Sequence, residues 1–286
     1  VTNILVTGAG GQLAGNLIRR GGPGVSIRGL TSSDLDITEV DAVRDEVRPG
    51  DVVVNCAAYT AVDAAEADED AATAVNATGP RILAEATARV GARLIHVSTD
   101  YVFAGDASEP YEVDDPTGPR TAYGRTKLAG ERAVLAADPS AVVVRTAWLY
   151  TGIGSDFVAT MLRLQRERDT VSVVDDQLGS PTFAGDLACG LLELAARPDI
   201  GGGVLHATNA GRATWFDLAR AVFAGVGADP DRVHPCTTAD FPRPAPRPAF
   251  SVLSPAAWAG AGLTPLRPWA DALADALAQL PPSATD

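Results

Sequence analysis

Ile4-Leu5-Val6-Thr7-Gly8-Ala9-Gly10-Gly11-Gln12-Leu13-Ala14-Gly15 is the stretch whose reading decides the fold. Ile4 to Val6 reads as a short buried strand, and the glycines break it. Leu13, Leu17 and Ile18 then line one side of a helix that Gly21-Gly22-Pro23-Gly24 ends. A glycine turn between strand and helix lets the backbone approach a pyrophosphate, and the helix N-terminus adds N–H groups and a positive dipole end. The spacing is Gly8-x-x-Gly11-x-x-Ala14, not G-x-G-x-x-G, and in isolation it fits a plain tight turn equally well. Its context decides between the two.

Outward from that turn, strands and helices alternate. Val25 to Leu30 is a second strand. Thr38 is placed to cap a helix striped by Val40, Val43 and Val47 and stopped by Pro49-Gly50. Val52 to Val54 is a third strand, 70–90 one long amphipathic helix with Val75, Ile82, Leu83 and Ala86 inward, and Leu94 to Val97 a fourth strand. A helix through Leu128 and Val134 reaches Ala137, and Ala141 to Arg145 is a fifth strand. Strands of continuous Val, Ile and Leu alternating with helices predict an α/β fold, a doubly wound Rossmann-type parallel sheet covered on both faces. Residues 1–150 form its dinucleotide-binding domain, with a return around 184–208.

From Trp148 the texture changes, and 151–286 reads as a smaller mixed α/β domain. It holds a helix with Phe157, Met161 and Leu164, a strand at 171–174, and a helix over 184–196. A strand at 203–206 rejoins the main sheet. Thr214 caps a helix with Phe216, Leu218 and Val222. The stretch 241–250, with four prolines and two arginines, is extended. A last helix over 269–280 follows Pro268, and 283–286 is a loose tail.

Composition sets outer limits. The 286 residues are 46% hydrophobic and 21% charged, ordinary for a globular chain, and the net charge of -13 argues against nucleic acid or an anionic membrane as partner. Cys56, Cys189 and Cys236 are far apart with no ligand spacing, which fits a reduced, cytoplasmic setting, with Cys56 a small core residue. The first residues lack a signal peptide's basic flank and cleavage site, and no apolar run is long enough to span a bilayer.

The chemistry concentrates between Val97 and Lys127. Among 23 lysines and arginines, Lys127 is the only lysine, and it follows Tyr123 by one helical turn. Guanidinium cannot replace an ammonium that must share protons, so the exception points to a task. A nearby ammonium lowers a phenol's pKa from about 10 and makes it a better general acid. Thr99, ending the fourth strand, would hold a hydroxyl against the same substrate oxygen. On a different protein the pair would be helix-surface decoration.

The end of the second strand bears on the cofactor. An acid there would bind a ribose 2′-hydroxyl, whereas Thr31 and Ser32 precede the first acid, Asp34. This favours NADPH, with NADH possible, and Arg28 or Arg19 is in reach of a 2′-phosphate. Asp36, in Leu35-Asp36-Ile37-Thr38, is placed with Ile37 at the adenine edge. His96, His206 and His234 are too scattered for a metal site, so no metal is expected. The acids at Asp63, Glu66, Asp68, Glu69 and Asp70 read as a solvated helix face. Ser98, His96 and Asp100 are too close in one strand to form a hydrolase triad.

Gly8-x-x-Gly11, Asn55-Cys56-Ala57-Ala58-Tyr59-Thr60, Ser98-Thr99-Asp100-Tyr101-Val102-Phe103 and Tyr123-x-x-x-Lys127 together resemble the extended short-chain dehydrogenase/reductase family. Within it the chain is similar to the reductases of dTDP-4-keto sugars. That likeness rests on Val62-Asp63-x-x-Glu66, Arg145-Thr146-Ala147-Trp148-Leu149-Tyr150, Asp176-Gln177-x-Gly179-x-Pro181-Thr182 and Arg247-Pro248-Ala249-x-Ser251. The resemblance implies NAD(P)H-dependent reduction of a 4-keto group, dTDP-4-dehydrorhamnose going to dTDP-L-rhamnose. It implies Tyr123 as proton donor, Lys127 as its partner and a contact to the nicotinamide ribose, and Thr99 at the keto oxygen. Gly8, Gly11, Gln12 and Leu13 would bind the pyrophosphate, and Ala57, Ala58 and Thr60 would line the cofactor. Tyr101, Phe103 and Trp148 would face the substrate, Arg247 would neutralise its diphosphate, and Asn76 would be a structural polar residue.

Residues 151–286 become, on that resemblance, the sugar-nucleotide domain. Some relatives carry an acid near the start of the first helix for an intersubunit Mg²⁺, where this chain has Gly15-Asn16, so a monomer or a metal-free homodimer is expected. Rival readings are a reductase of another dTDP-4-keto sugar, an epimerase or dehydratase on the same fold, or a non-catalytic regulatory subunit.

Overall fold

The computed structural model describes residues 2–280. At its centre lie β1 (Thr2–Thr7), β2 (Val25–Leu30), β3 (Asp51–Asn55), β4 (Arg93–Thr99), β5 (Val142–Thr146) and the strand Gly203–His206. They pair in the order β2-β1-β3-β4-β5 and then 203–206, every pair parallel. The order reverses between β1 and β3, so the C-terminal ends of these two strands open a crevice.

Side-chain alternation explains why both faces are covered. Ile4, Val6, Val52, Val54, Ile95, Val142 and Val144 point to one face, and Leu5, Val53, Leu94 and Val143 to the other. The helices of the first half are α1 (Gln12–Ile18), α2 (Val40–Glu46), α3 (Val62–Ala65), α4 (Glu69–Thr73), α5 (Gly79–Val90) and α6 (Ala122–Ala137). Those of the second are α7 (Phe157–Glu167), α8 (Ala184–Ala195), α9 (Trp215–Gly225), α10 (Ala256–Gly260) and α11 (Trp269–Ala278). The first face packs Leu13 and Leu17 of α1, Leu187 and Leu191 of α8, and Trp258 of α10. The second packs Val43 of α2, Leu83 of α5 and Val134 of α6. The strand at 203–206 joins the sheet beside β5, as its sequence suggests.

Two local expectations fail. Thr38 does not cap α2: its hydroxyl and N–H turn back to the Asp36 carboxylate, Glu39 takes the cap position, and Val40 is exposed. Nor is 70–90 one helix. A π-helical turn, Ala74–Thr78, separates α4 from α5. The extra residue in that turn aims Asn76 inward, where its side chain takes the Tyr59 N–H at 2.8 Å and donates to Tyr59 O and Thr126 Oγ1, each at 3.1 Å. Three hydrogen bonds from this buried side chain hold an otherwise unfavourable turn.

The second half surrounds its own core of Met161, Leu162, Val173, Leu218, Phe223 and Leu273, drawn from α7, α9, α11 and the parallel pair 171–174 with 233–236. Thr214 caps α9 with a reciprocal box to Asp217. The stretch 241–250 is extended, as its prolines require, and crosses back to the first half. The tail at 283–286 lies outside the described residues. No helix among the described residues is long and apolar enough to cross a membrane.

Candidate active site

The glycine turn sits at the crevice. Gly8 has φ +70°, and a Cβ there would fall 2.7 Å from Ala57 N, so only glycine lets β1's exit pack on the loop after β3. Ala9 N–H donates to Leu30 O at 3.0 Å, tying the same turn to β2. Gly11 starts α1 with no side-chain cap, leaving the helix's first N–H groups free of such a partner. Gly8, Gly11, Gln12, Thr31, Ser32, Ala57, Ala58 and Thr60 therefore share one edge, a shape that fits a dinucleotide. Leu13 has its side chain in the core, so it could offer only backbone. Gln12 also reaches the second half, donating to Asp156 Oδ2 at 3.0 Å.

Several residues expected at the cofactor already have partners within the chain. Arg28 donates both to the Glu46 carboxylate and to its backbone carbonyl, which turns it away from the β2 edge. Thr31 donates its hydroxyl to Asp34 at 2.6 Å, so the late acid already answers the hydroxyl at this edge. Ile37 is buried against Gly79 and serves packing, and Asp36 is exposed but holds Thr38.

At the end of β4 the reactive groups gather. Thr99 acts on the Tyr123 phenol, and the Tyr101 and Tyr123 rings meet edge to face, 5.5 Å apart at 76°. Thr121 caps α6 through Gly124 N, which sets Tyr123 in the helix's first turn and Lys127 one turn on. Lys127 is 2% exposed and donates to Val97 O at 2.7 Å. Burial pushes its ammonium down to about 8, against the pull of Glu131.

The phenol behaves differently from the sequence expectation. Burial pushes Tyr123 up to about 12, with the Asp100 charge adding to the rise and the Thr99 hydrogen bond opposing it; Lys127 is not among the groups acting on it. Its ammonium is spent on Val97 O. Asp100 itself, weighed from the sequence only as a triad member and rejected, is buried and pushed up to about 6 despite the hydrogen bond from Thr99 Oγ1 at 2.9 Å.

Next to this cluster opens a cleft of about 980 Å³. Tyr101, Trp148, Trp215, Gln177, Arg243 and Arg247 are among its walls. Trp148 is the sole described non-glycine residue with positive φ, +47°, and it stacks on Trp215 at 3.5 Å and 6°. Strain of this kind costs of order 1 kcal/mol or more and persists where neighbours over-determine it. Here they do: Gly179 lies under the indole, and Gln177 accepts from Trp215 Nε1 at 3.1 Å. Trp215 was not singled out from sequence. Phe103 lies outside the large cleft; it is 2% exposed, stacked on Tyr111, and borders only a small recess beside it.

The acidic run is not merely a solvated face. Asp63 accepts from Arg247 at 2.8 Å and from Ala245 N at 3.2 Å, Glu66 accepts from Ala122 N at 2.8 Å, and Glu69 pairs with Arg125. Asp63 thus pins the 241–250 strap, and with it Arg247, over the cleft mouth. His96 and His206 are buried and His234 is exposed. Ser98 donates to Glu131 at 2.5 Å and has no part in a triad with His96.

A dinucleotide-shaped crevice facing a Thr, Tyr and Lys cluster, with an aromatic and arginine-lined cleft beyond, defines a nucleotide-dependent oxidoreductase architecture. The chain belongs to the family described as RmlD substrate binding domain, whose model matches residues 2–281. A dTDP-4-dehydrorhamnose reductase from Mycolicibacterium smegmatis is 57% identical over 286 residues, 99% of this chain and 87% of that one. A dTDP-4-keto-6-deoxy-D-glucose reductase from Streptomyces niveus is 47% identical over 277 residues, covering 95% of both chains. The crystal structure of a dTDP-4-dehydrorhamnose reductase from Bacillus anthracis, in complex with NADP, superposes with a TM-score of 0.93 at 36% identity, over 98% of this chain and 99% of that one.

Proposed function

We propose that this protein reduces the C4 keto group of a dTDP-4-keto-6-deoxy sugar, converting dTDP-4-dehydrorhamnose to dTDP-L-rhamnose with NADPH, NADH being usable too. The observation that carries this is that Tyr123, one helical turn before Lys127 and under the influence of Thr99, packs against Tyr101, which lines the cleft under Trp148. Residues 1–150, with the return around 184–208, hold the dinucleotide, and 151–286 hold the sugar nucleotide. Bound NADPH supplies the hydride.

This chain's residues do the rest. Thr99 and Tyr123 hydrogen-bond the keto oxygen and orient it. As negative charge develops there, Tyr123 gives up its phenolic proton; a phenol pushed up to about 12 is fully loaded at neutral pH, and an alkoxide is basic enough to take the proton. Arg247, held by Asp63 and Ala245 O, brings positive charge to the substrate's diphosphate, and Trp148 and Trp215 present an apolar wall to the sugar.

Tyr123→Phe tests the reading: turnover of dTDP-4-dehydrorhamnose should fall by about 10³-fold or more while NADPH still binds. Undiminished NADPH oxidation in that variant refutes it. The Streptomyces relative favours a second reading, a reductase of a differently configured dTDP-4-keto sugar. NMR of the product formed from each purified dTDP-4-keto sugar separates the two.

A further inference from the structure

Behind the reactive cluster runs a buried polar chain that none of the roles above uses. It crosses the sheet from Thr7 at the end of β1, through Asn55 of β3 and His96 of β4, to Lys127 of α6. Thr7 Oγ1 donates to Asn55 Oδ1 at 2.6 Å, Asn55 Nδ2 lies 2.9 Å from His96 Nδ1, and His96 Nε2 lies 3.5 Å from Lys127 Nζ. Thr7, Asn55, His96 and Lys127 are all buried.

The chain has a single consistent set of proton positions. Asn55 cannot turn its amide over, because Oδ1 also accepts the backbone N–H of Ala57 at 3.1 Å, and a backbone N–H can only donate. Asn55 Nδ2 therefore donates to His96, and Nδ1 must accept. A neutral imidazole that accepts at Nδ1 carries its proton at Nε2. An imidazolium would set an N–H against the Asn55 N–H and a second positive charge beside Lys127. Toward Lys127 the ring thus presents a hydrogen, not a lone pair. An ammonium has three donors and no acceptor, so it meets that hydrogen donor to donor, whereas a neutral amine has one lone pair to receive it.

We propose that His96 is a positioning residue for Lys127: locked with its proton on Nε2, it offers Nζ a donor and so favours release of the lysine's proton. The amine so formed is held between His96 Nε2–H and Val97 O. This rests on the reading of Tyr123 and Lys127 given above.

The remaining groups around Nζ fit. Burial and the Lys127 charge hold His96 well below its ordinary value, which keeps the ring neutral. The Cys56 thiol, after β3, is pushed up to about 12 by burial and is neutral too. Glu131, one turn along α6, favours the charged lysine, yet its carboxylate is engaged by Ser98 and by Arg145, which donates from Nε and Nη2 at 2.8–3.2 Å. Tyr123 stays protonated, and Asp100 acts on that phenol.

The lone lysine makes the test direct. With ¹³Cε-labelled lysine the sequence gives one side-chain signal, whose titration reads Lys127 without reference to turnover. In the intact protein its midpoint should lie at about 8. In His96→Gln, whose amide oxygen is free to turn toward Nζ, it should rise by about one unit or more. An unmoved or lowered midpoint overturns the proposal. Histidine ¹⁵N shifts of the unsubstituted protein give a second measurement that needs no variant: His96 should be neutral with its proton on Nε2 at pH 7. A proton on Nδ1, or an imidazolium, overturns the proposal equally. Both readings hold whether or not a dTDP-4-keto sugar is turned over, so a failure of the assigned reaction is seen separately.

Discussion

Asp100 is the residue at which stability and chemistry pull apart. Its carboxyl is 2% exposed and pushed up to about 6 by burial, so the folded protein binds a proton that an unfolded chain releases near its ordinary 3.8. Stability contributed by that proton is present below pH 4 and is lost as pH rises through 4 to 6. Above that window the folded state carries a buried anion at a cost on the order of 3 kcal/mol. Asp100→Asn keeps an acceptor for Thr99 Oγ1 and carries no charge. Its stability over the unsubstituted protein, from denaturant melts, should be small at pH 4 and grow to about 2–3 kcal/mol by pH 8. A gap that does not change with pH would remove the argument. The same substitution removes a charge that raises the Tyr123 phenol. Tyr123 and Lys127 were legible at this scale because an i,i+4 pair and a lone lysine are local facts. Asp100 was not, because its burial depends on contacts far along the chain.

Among the elements, the turn at 176–182 does the most to shape the cleft. Gln177 orients Trp215, and Gly179 makes room for Trp148, whose indole would lie 2.3 Å from a Cβ at that position. Gly179→Ala therefore forces Trp148 off Trp215 or shifts the turn itself, an overpacking worth typically about 1–3 kcal/mol. If the stacked pair is the sugar's wall, KM for the dTDP sugar should rise by about tenfold or more, with NADPH affinity unchanged. Equal losses in both would place the damage in the fold and not in the wall. Periodicity explains what was read here and what was missed. The helix stripes of α7 and α9 announce themselves every three or four residues. The π-turn at Ala74–Thr78 leaves no such mark, since Asn76 is drawn inward by Tyr59 and Thr126, one of them 50 residues away. Asp63 looked like one of several surface acids because its partner Arg247 is 184 residues distant.

For the molecule as a whole, the parallel sheet was readable from Ile4-Leu5-Val6 onward, since strands buried on both faces show unbroken apolar runs and glycine turns punctuate them. What the order of elements does not show is how much of the first half's core comes from the second. The face that carries Leu13 and Leu17 is closed by Leu187, Leu191 and Leu194 of α8 and by Trp258 of α10, beyond the 184–208 return, and the strand at 203–206 covers the edge of β5. A fragment of residues 1–150 would lose all of these. It would leave β5 as an open edge of Val142, Val143 and Val144 and uncover an apolar face, both invitations to aggregate. Such a fragment should lack a cooperative thermal transition and dispersed amide signals, whereas a fragment of 1–266 would keep this core complete and still lose α11. A well-dispersed, cooperatively melting 1–150 fragment would show that the dinucleotide half is an autonomous domain. The contacts of Trp258 and Leu191 argue that the halves fold as one.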